Sequence, residues 1–290
     1  MSSQHEIDLG YIRIAGKFWG PVHGTPTIGL HGYLDNANSF DMIAPHLLGL
    51  RLFAMDFAGH GWSDHRAEGS LYSGLNDIRD VLAVADALGW DSFNIIGHSM
   101  GAEIGSQIAG LFPDRVERIA CIDGYCGTDK AGETLSHFQS SIQSSFKKST
   151  SLKTFTSLQQ MTHRLCEATG QDETSATCLI ERGHKIVEGG YSWRTDPRIR
   201  GSGPLELTPD QLEALLDRTT AETLFIVADM QNNWLRRTLD VVEARLETGK
   251  DRNLQLISLP GPHHLHMQSQ SDDIASLINK FMDEQLEKIA

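Results

Sequence analysis

Gly97-His98-Ser99-Met100-Gly101 is the stretch of this chain whose residue types and spacing point most directly to chemistry. A serine hydroxyl becomes a useful nucleophile when a neighbouring base takes its proton, and small flanking residues let the backbone turn sharply enough to present it. The apolar run Phe93-Asn94-Ile95-Ile96 precedes the motif, and a helical stripe of Ile104, Ile108 and Leu111 follows it. A strand-to-helix turn of this kind exposes the hydroxyl at the carboxyl end of a sheet. It also offers the unbonded N–H groups of a helix start to an anion. A merely structural glycine-rich turn would satisfy the five residues alone; the strand before and the helix after favour Ser99 as a nucleophile.

The groups such a serine needs can be sought at the same edge of the sheet. His31-Gly32-Tyr33 ends the apolar run Thr27 to Leu30. The backbone N–H groups of Tyr33 and Met100 are the expected oxyanion hole, and losing one such donor costs ~10²–10³ in rate. His31 is expected beside the substrate. The base must reach Ser99 from a loop. Of the 13 histidines, His263, His264 and His266 lie between the last expected strand and the last expected helix. His263 is the first choice, His264 the second and His266 the third. The expected role of His264 is packing or lining the substrate pocket. Two carboxylates follow strands, Asp123 after Ile119-Ile122 and Asp229 after Leu224-Ala228. Asp229 falls two residues before the place where the acid is expected, which Gln231 occupies, so Asp123 is preferred and Asp229 is the alternative. Asp56, in Asp-x-x-Gly-x-Gly-x-Ser, reads as a loop-shaping carboxylate, with Ser63 capping the turn.

These residues need a scaffold, and the apolar pattern supplies one. Leu9 to Phe18 alternates as an opening antiparallel hairpin would. Short apolar runs at Thr27-Leu30, Leu52-Met55, Phe93-Ile96 and Ile119-Ile122 suit strands covered on both faces. Between the second and third of these runs, Leu75, Ile78, Val81, Leu82, Ala85 and Leu88 form one helical stripe, stopped by Gly89. The strand code resumes at Thr223-Val227 and Leu254-Ile257. A last helix capped by Ser271 carries Ile274, Leu277, Ile278 and Phe281. Strands alternating with helices predict an α/β fold with a mostly parallel sheet of eight strands, flanked by helices. Residues 126–221 are polar and helical with no convincing strand. They are expected to be a helical cap inserted after the sixth strand, between core segments 1–125 and 222–290. In the cap, Tyr191-Ser192-Trp193-Arg194-Thr195-Asp196-Pro197-Arg198 stands out. Trp193 would wall the substrate site or pack the cap onto the core.

Composition narrows the partners. A net charge of -13 argues against nucleic acid and against an anionic membrane surface. The chain start lacks a secretory pattern, and no apolar run approaches the ~18 residues of a membrane span. Four cysteines with no zinc-like spacing suit free thiols in the cytoplasm. The expected partner is a small-molecule ester, with no metal or organic cofactor. Oligomeric state, monomer or homodimer, is left open.

Taken together these stretches resemble α/β-hydrolases, and within them the serine hydrolase-like, kraken-like group. The resemblance rests on His31-Gly32-Tyr33-Leu34-Asp35-Asn36-Ala37, on Ala54 to Ser63, on the elbow Gly97 to Gly101, on Ile122-Asp123, and on Pro260 to Met267. A Glu-x-Pro usual near the last helix is replaced by Gln268-Ser269-Gln270. The resemblance implies Ser99 as nucleophile, His263 as base and Asp123 as acid, and leaves the substrate undefined. Serine rather than aspartate at position 99 argues against dehalogenase and epoxide hydrolase chemistry. Carboxylic ester hydrolysis through an acyl-enzyme is the expected reaction. C–C bond hydrolysis on the same triad, cofactor-free oxygenation by the His–Asp pair, and ligand binding without catalysis are the rival readings.

Overall fold

Runs of six or seven residues, most of them apolar, make the strands of the main sheet, and their alternation decides which face each side chain meets. In β4 (Leu50–Met55), Phe53 and Met55 join one core cluster while Leu52 and Ala54 join the other. The same split runs along β9 (Glu222–Ala228), with Phe225 and Val227 on one face and Leu224 and Ile226 on the other. A sheet apolar on both faces must be covered twice.

The computed structural model describes residues 2–127, 135, 136, 138–140, 142, 143, 146, 152–199, 207–229 and 235–287. Its main sheet has eight strands in the order β1-β2-β4-β3-β5-β6-β9-β10. β1 (Ser3–Asp8) and β2 (Arg13–Trp19) form the opening antiparallel hairpin, which starts earlier than the expected Leu9 to Phe18. Leu9 to Ile12 make its turn, with Leu9 N–H donating to Ile12 O at 3.0 Å, and β2 also pairs antiparallel with β4. From β4 onward the strands are parallel: β3 (Thr25–Leu30), β5 (Phe93–His98), β6 (Val116–Ile122), β9 and β10 (Leu254–Leu259). The order reverses at β3 and β5, and crevices at such reversals hold ligands at the carboxyl ends of strands. The α/β-hydrolase architecture expected from the sequence, with eight mostly parallel strands, is what forms.

Helices α1 (Gly74–Ala87) and α2 (Met100–Leu111) cover one face. The other is covered by the 3₁₀ turns Ala37–Phe40 and Ala44–His46 and by the last helix, Ser271–Glu287. Between β6 and β9 lie α3 (Leu158–Thr169), α4 (Glu173–Gly183) and α5 (Pro209–Arg218). Two features depart from a purely helical cap. β7 (His184–Val187) and β8 (Gly190–Trp193) form an antiparallel hairpin there. Helix α5 packs into the main core through Leu212, Leu215 and Leu216. Helices α6 (Arg236–Glu247) and α7 (Ser271–Glu287) complete the layers. Among the described residues, no helix is long and apolar enough to cross a membrane.

Candidate active site

Ser99 occupies the single residue between β5 and α2, with φ +50° and ψ −120°. A side-chain-bearing residue at positive φ costs ~1–3 kcal/mol unless its surroundings hold it there. They do: Ser99 N–H donates to Ile122 O at 2.9 Å, and Ser99 O accepts from Ala102 N–H at 2.9 Å and Glu103 N–H at 3.0 Å. The flanking glycines are demanded by contact. A Cβ on Gly101 would lie 2.1 Å from Leu30 O, and one on Gly97 would lie 2.6 Å from the backbone of Ala102. The tight elbow foreseen from Gly-x-Ser-x-Gly is present for these steric reasons.

His263 Nε2 lies 2.9 Å from Ser99 Oγ, and its Nδ1 lies 2.5 Å from Asp123 Oδ2. A carboxylate accepts only, so Nδ1 carries the proton and Nε2 presents its lone pair to the serine hydroxyl. Asp123 directly follows β6 with φ +43° and is 2% exposed. Its N–H donates to Ile226 O at 2.7 Å, and its Oδ1 accepts from Ala228 N–H at 2.9 Å. Gly124 lets this turn press against the elbow, since a Cβ there would lie 2.4 Å from Ser99 O. Asp229 is exposed at the end of β9 and accepts the Gly261 N–H at 3.1 Å. It therefore anchors the loop that carries His263, while Asp123 meets the ring. Gln231 lies outside the described residues.

Tyr33 lies in the turn after β3, closed by Asp35 N–H donating to Gly32 O at 3.1 Å. Met100 opens α2, so its N–H precedes the first intrahelical acceptor. Tyr33 thus stands on the loop after β3, and Met100 directly follows Ser99. The three residues expected at the substrate are placed differently. His31 is fully buried; its Nε2 accepts the Phe57 N–H at 3.1 Å and its Nδ1 donates to Gly32 O at 2.7 Å. Both ring nitrogens are thus spent on backbone, so His31 shapes the loop. His264 is also buried and faces Asp35, 3.3 Å away. Trp193 packs edge-to-face on Phe155, ring centres 5.8 Å apart, in a small cluster within the insertion. His266 is buried with Nε2 2.8 Å from Ser39 Oγ.

Asp56 has the structural role read from its loop. Its oxygens accept from Ala37 N–H and Trp62 N–H, both at 2.7 Å, and Ser63 Oγ donates to Asp56 O at 2.7 Å. The sequence did not suggest its charged partner. Arg182 of α4, fully buried, donates through Nε at 2.8–2.9 Å to both oxygens of Asp56, and Trp62 covers the guanidinium at 4.4 Å. His98 was equally unmarked. It is fully buried beside Ser99, and its Nε2 lies 3.0 Å from His263 O, so it steadies the loop that carries the base. Burial pushes His98 down to about 4 and His31 to about 3, so both rings are neutral near pH 7. The arrangement as a whole can polarise one serine hydroxyl at the mouth of the sheet.

Comparison with known proteins bears on what that hydroxyl belongs to. Residues 28–162 match the family model described as the alpha/beta hydrolase fold. A serine hydrolase-like protein of Dictyostelium discoideum is 32% identical, over 90% of this chain and 76% of its own length. One of Danio rerio is 28% identical, over 98% of this chain and 89% of its own length. A crystal structure of a hypothetical protein from Pseudomonas aeruginosa PAO1 superposes with a TM-score of 0.84 at 34% identity, covering 98% of this chain and 99% of that one. The likeness extends over the elbow, the loop of the histidine and the sheet that brings them together, and the chain belongs to the serine hydrolase-like group of the α/β-hydrolase family.

Proposed function

We propose that the protein is a carboxylic ester hydrolase that works on small to medium acyl esters through an acyl-enzyme. One observation carries the reading: Ser99, His263 and Asp123 form an unbroken hydrogen-bonded chain, with separations of 2.9 Å and 2.5 Å. In this reading His263 Nε2 takes the Ser99 proton as Oγ attacks the ester carbonyl. The negative charge moves to the carbonyl oxygen, where the N–H groups of Tyr33 and Met100 stabilise it. Collapse breaks the acyl–oxygen bond, and the alcohol leaves with the proton held by His263. Water then gives a proton to His263, attacks the acyl-serine and releases the acid, restoring Ser99. Asp123 keeps the ring in the required tautomer and stabilises its cationic form.

The test is turnover of p-nitrophenyl esters of graded acyl length by purified protein. Ser99→Ala is expected to abolish it, and a fluorophosphonate probe is expected to label the wild type and not the variant. Undiminished ester turnover by Ser99→Ala refutes the reading.

A further inference from the structure

Behind the candidate triad, two loops and a strand end meet at a cluster that ester hydrolysis does not use. Asp35 comes from the loop after β3, His98 from the end of β5 and His264 from the loop after β10. All three are buried. Asp35 Oδ2 lies 3.6 Å from His98 Nδ1 and 3.3 Å from His264 Nε2. One donor atom from each residue can be chosen so that all three fall within 4.8 Å of one another.

The hydrogen bonding around them is out of balance. His98 Nε2 faces the carbonyl of His263 at 3.0 Å, so that nitrogen carries the proton. The other ring nitrogen, Nδ1, faces Asp35 Oδ2 at 3.6 Å, too far for a hydrogen bond. Neither His98 Nδ1 nor Asp35 Oδ2 has a hydrogen-bond partner among the described residues. Buried polar atoms without partners are costly, and a metal ion between these two would satisfy both. Gly32 leaves room beside the pair: a Cβ there would lie 2.8 Å from His98 Nδ1 and 2.9 Å from Asp35 Oδ2.

We propose that Asp35, His98 and His264 form a binding site for a divalent transition metal of the zinc type, separate from the reacting groups. Tetrahedral zinc bonds of about 2.0–2.2 Å set ligand atoms roughly 3.3 Å apart; the two separations from Asp35, 3.3 Å and 3.6 Å, are close to this, and all three donor atoms fall within 4.8 Å of one another. Two imidazoles and one carboxylate suit zinc better than magnesium or calcium, which prefer all-oxygen shells. The bond from His98 Nε2 to a backbone carbonyl is the kind of outer contact that orients a ligating histidine. A metal here ties the Tyr33 loop, the elbow and the His263 loop together. Because it binds only the folded chain, it raises thermal stability by mass action.

The experiment uses the full chain, stripped with a chelator and dialysed. Zinc chloride is titrated by calorimetry, melting is followed with and without zinc, and cobalt chloride is added to a separate sample. The expected result is one zinc per chain, a higher Tm and the intense visible absorption of four-coordinate cobalt. Asp35→Asn and His264→Gln should each weaken zinc binding at least tenfold and remove the Tm shift. His163→Gln removes an exposed histidine that lies 3.2 Å from Glu167 on α3, the kind of surface pair that captures metal adventitiously, and should change neither. Absence of stoichiometric zinc on the wild type, or loss of binding in His163→Gln with Asp35→Asn unaffected, overturns the proposal. Should a variant fail to fold, the wild-type cobalt spectrum decides, since the weak absorption of six-coordinate cobalt also overturns it.

Discussion

A carboxylate serves an imidazole only from hydrogen-bonding distance of the protonated nitrogen. Asp123 stands at that distance from His263 Nδ1, whereas Asp229 has its Oδ1 on the Gly261 N–H. The two residues stand at the ends of neighbouring parallel strands, each directly after an apolar run. Under the proposed mechanism, Asp123→Asn should lower kcat by ~10⁴, because an amide leaves the ring in the wrong tautomer. Asparagine tolerates the positive φ of this position, so the variant should fold and the loss should be kinetic. Asp229→Asn keeps an acceptor for Gly261 and should leave kcat nearly unchanged. Steady-state kinetics on the two variants side by side checks this, and the opposite order would move the acid to β9.

At the scale of elements, α1 shows how a helix is tied to the loop before it. Arg66 Nη2 lies 3.1 Å from Asp77 and 2.7 Å from Asp80, both on α1. One guanidinium serves two carboxylates. Burial pushes Asp77 up to about 7, and Asp80 adds to the rise while Arg66 opposes it. Asp80 also accepts from Tyr11 at 3.0 Å and pairs with Arg79 at 3.1 Å. A carboxyl whose folded value exceeds its unfolded value of about 3.9 favours folding most below the unfolded value. That advantage is lost as pH climbs to the folded value, and no further loss follows above it. Asp77→Asn does not titrate, so its stability relative to the wild type should rise between about pH 4 and pH 7 and then level off. Thermal melts of both proteins across that range test it; a pH-independent difference would show that Asp77 stays ionised.

Across the whole molecule, the insertion is fastened to the core by charged and polar contacts as well as by apolar ones. The Arg182–Asp56 bridge joins α4 to the loop after β4, and Asn36 Nδ2 donates to Leu179 O at 2.8 Å nearby. Further along, Asp196 N–H donates to Gly59 O at 2.9 Å and its carboxylate accepts from Tyr72 at 2.8 Å. Arg198 adds bonds to the carbonyls of Ala67 and Arg66, at 3.1 Å and 2.5 Å, so the end of segment 191–198 joins the insertion to the core. Arg182→Met removes the cation and leaves Asp56 buried, so unfolding free energy should fall by ~3–5 kcal/mol. The double variant with Asp56→Asn should recover part of the loss, since no buried charge then remains. Urea midpoints of the wild type, single and double variants check both parts.

The sequence by itself determined the features that depend on neighbours along the chain. The elbow at Ser99, the apolar strands of the main sheet and α1 are each written in contiguous residues, because turn sterics and apolar alternation act over a few positions, whereas the polar β1 (Ser3–Asp8) carries no such signal. Even the hairpin β7–β8 had a local sign, Glu188-Gly189-Gly190 between two short runs, hidden by their polarity. Only the tertiary structure decided which carboxylate meets His263, since Asp123 and His263 are 140 positions apart. The same holds for Arg182 on Asp56, and for the cluster of Asp35, His98 and His264. Each side chain there is ordinary in its own segment. Its charge and donor pattern acquire consequence only when burial removes water and leaves other side chains as the available partners.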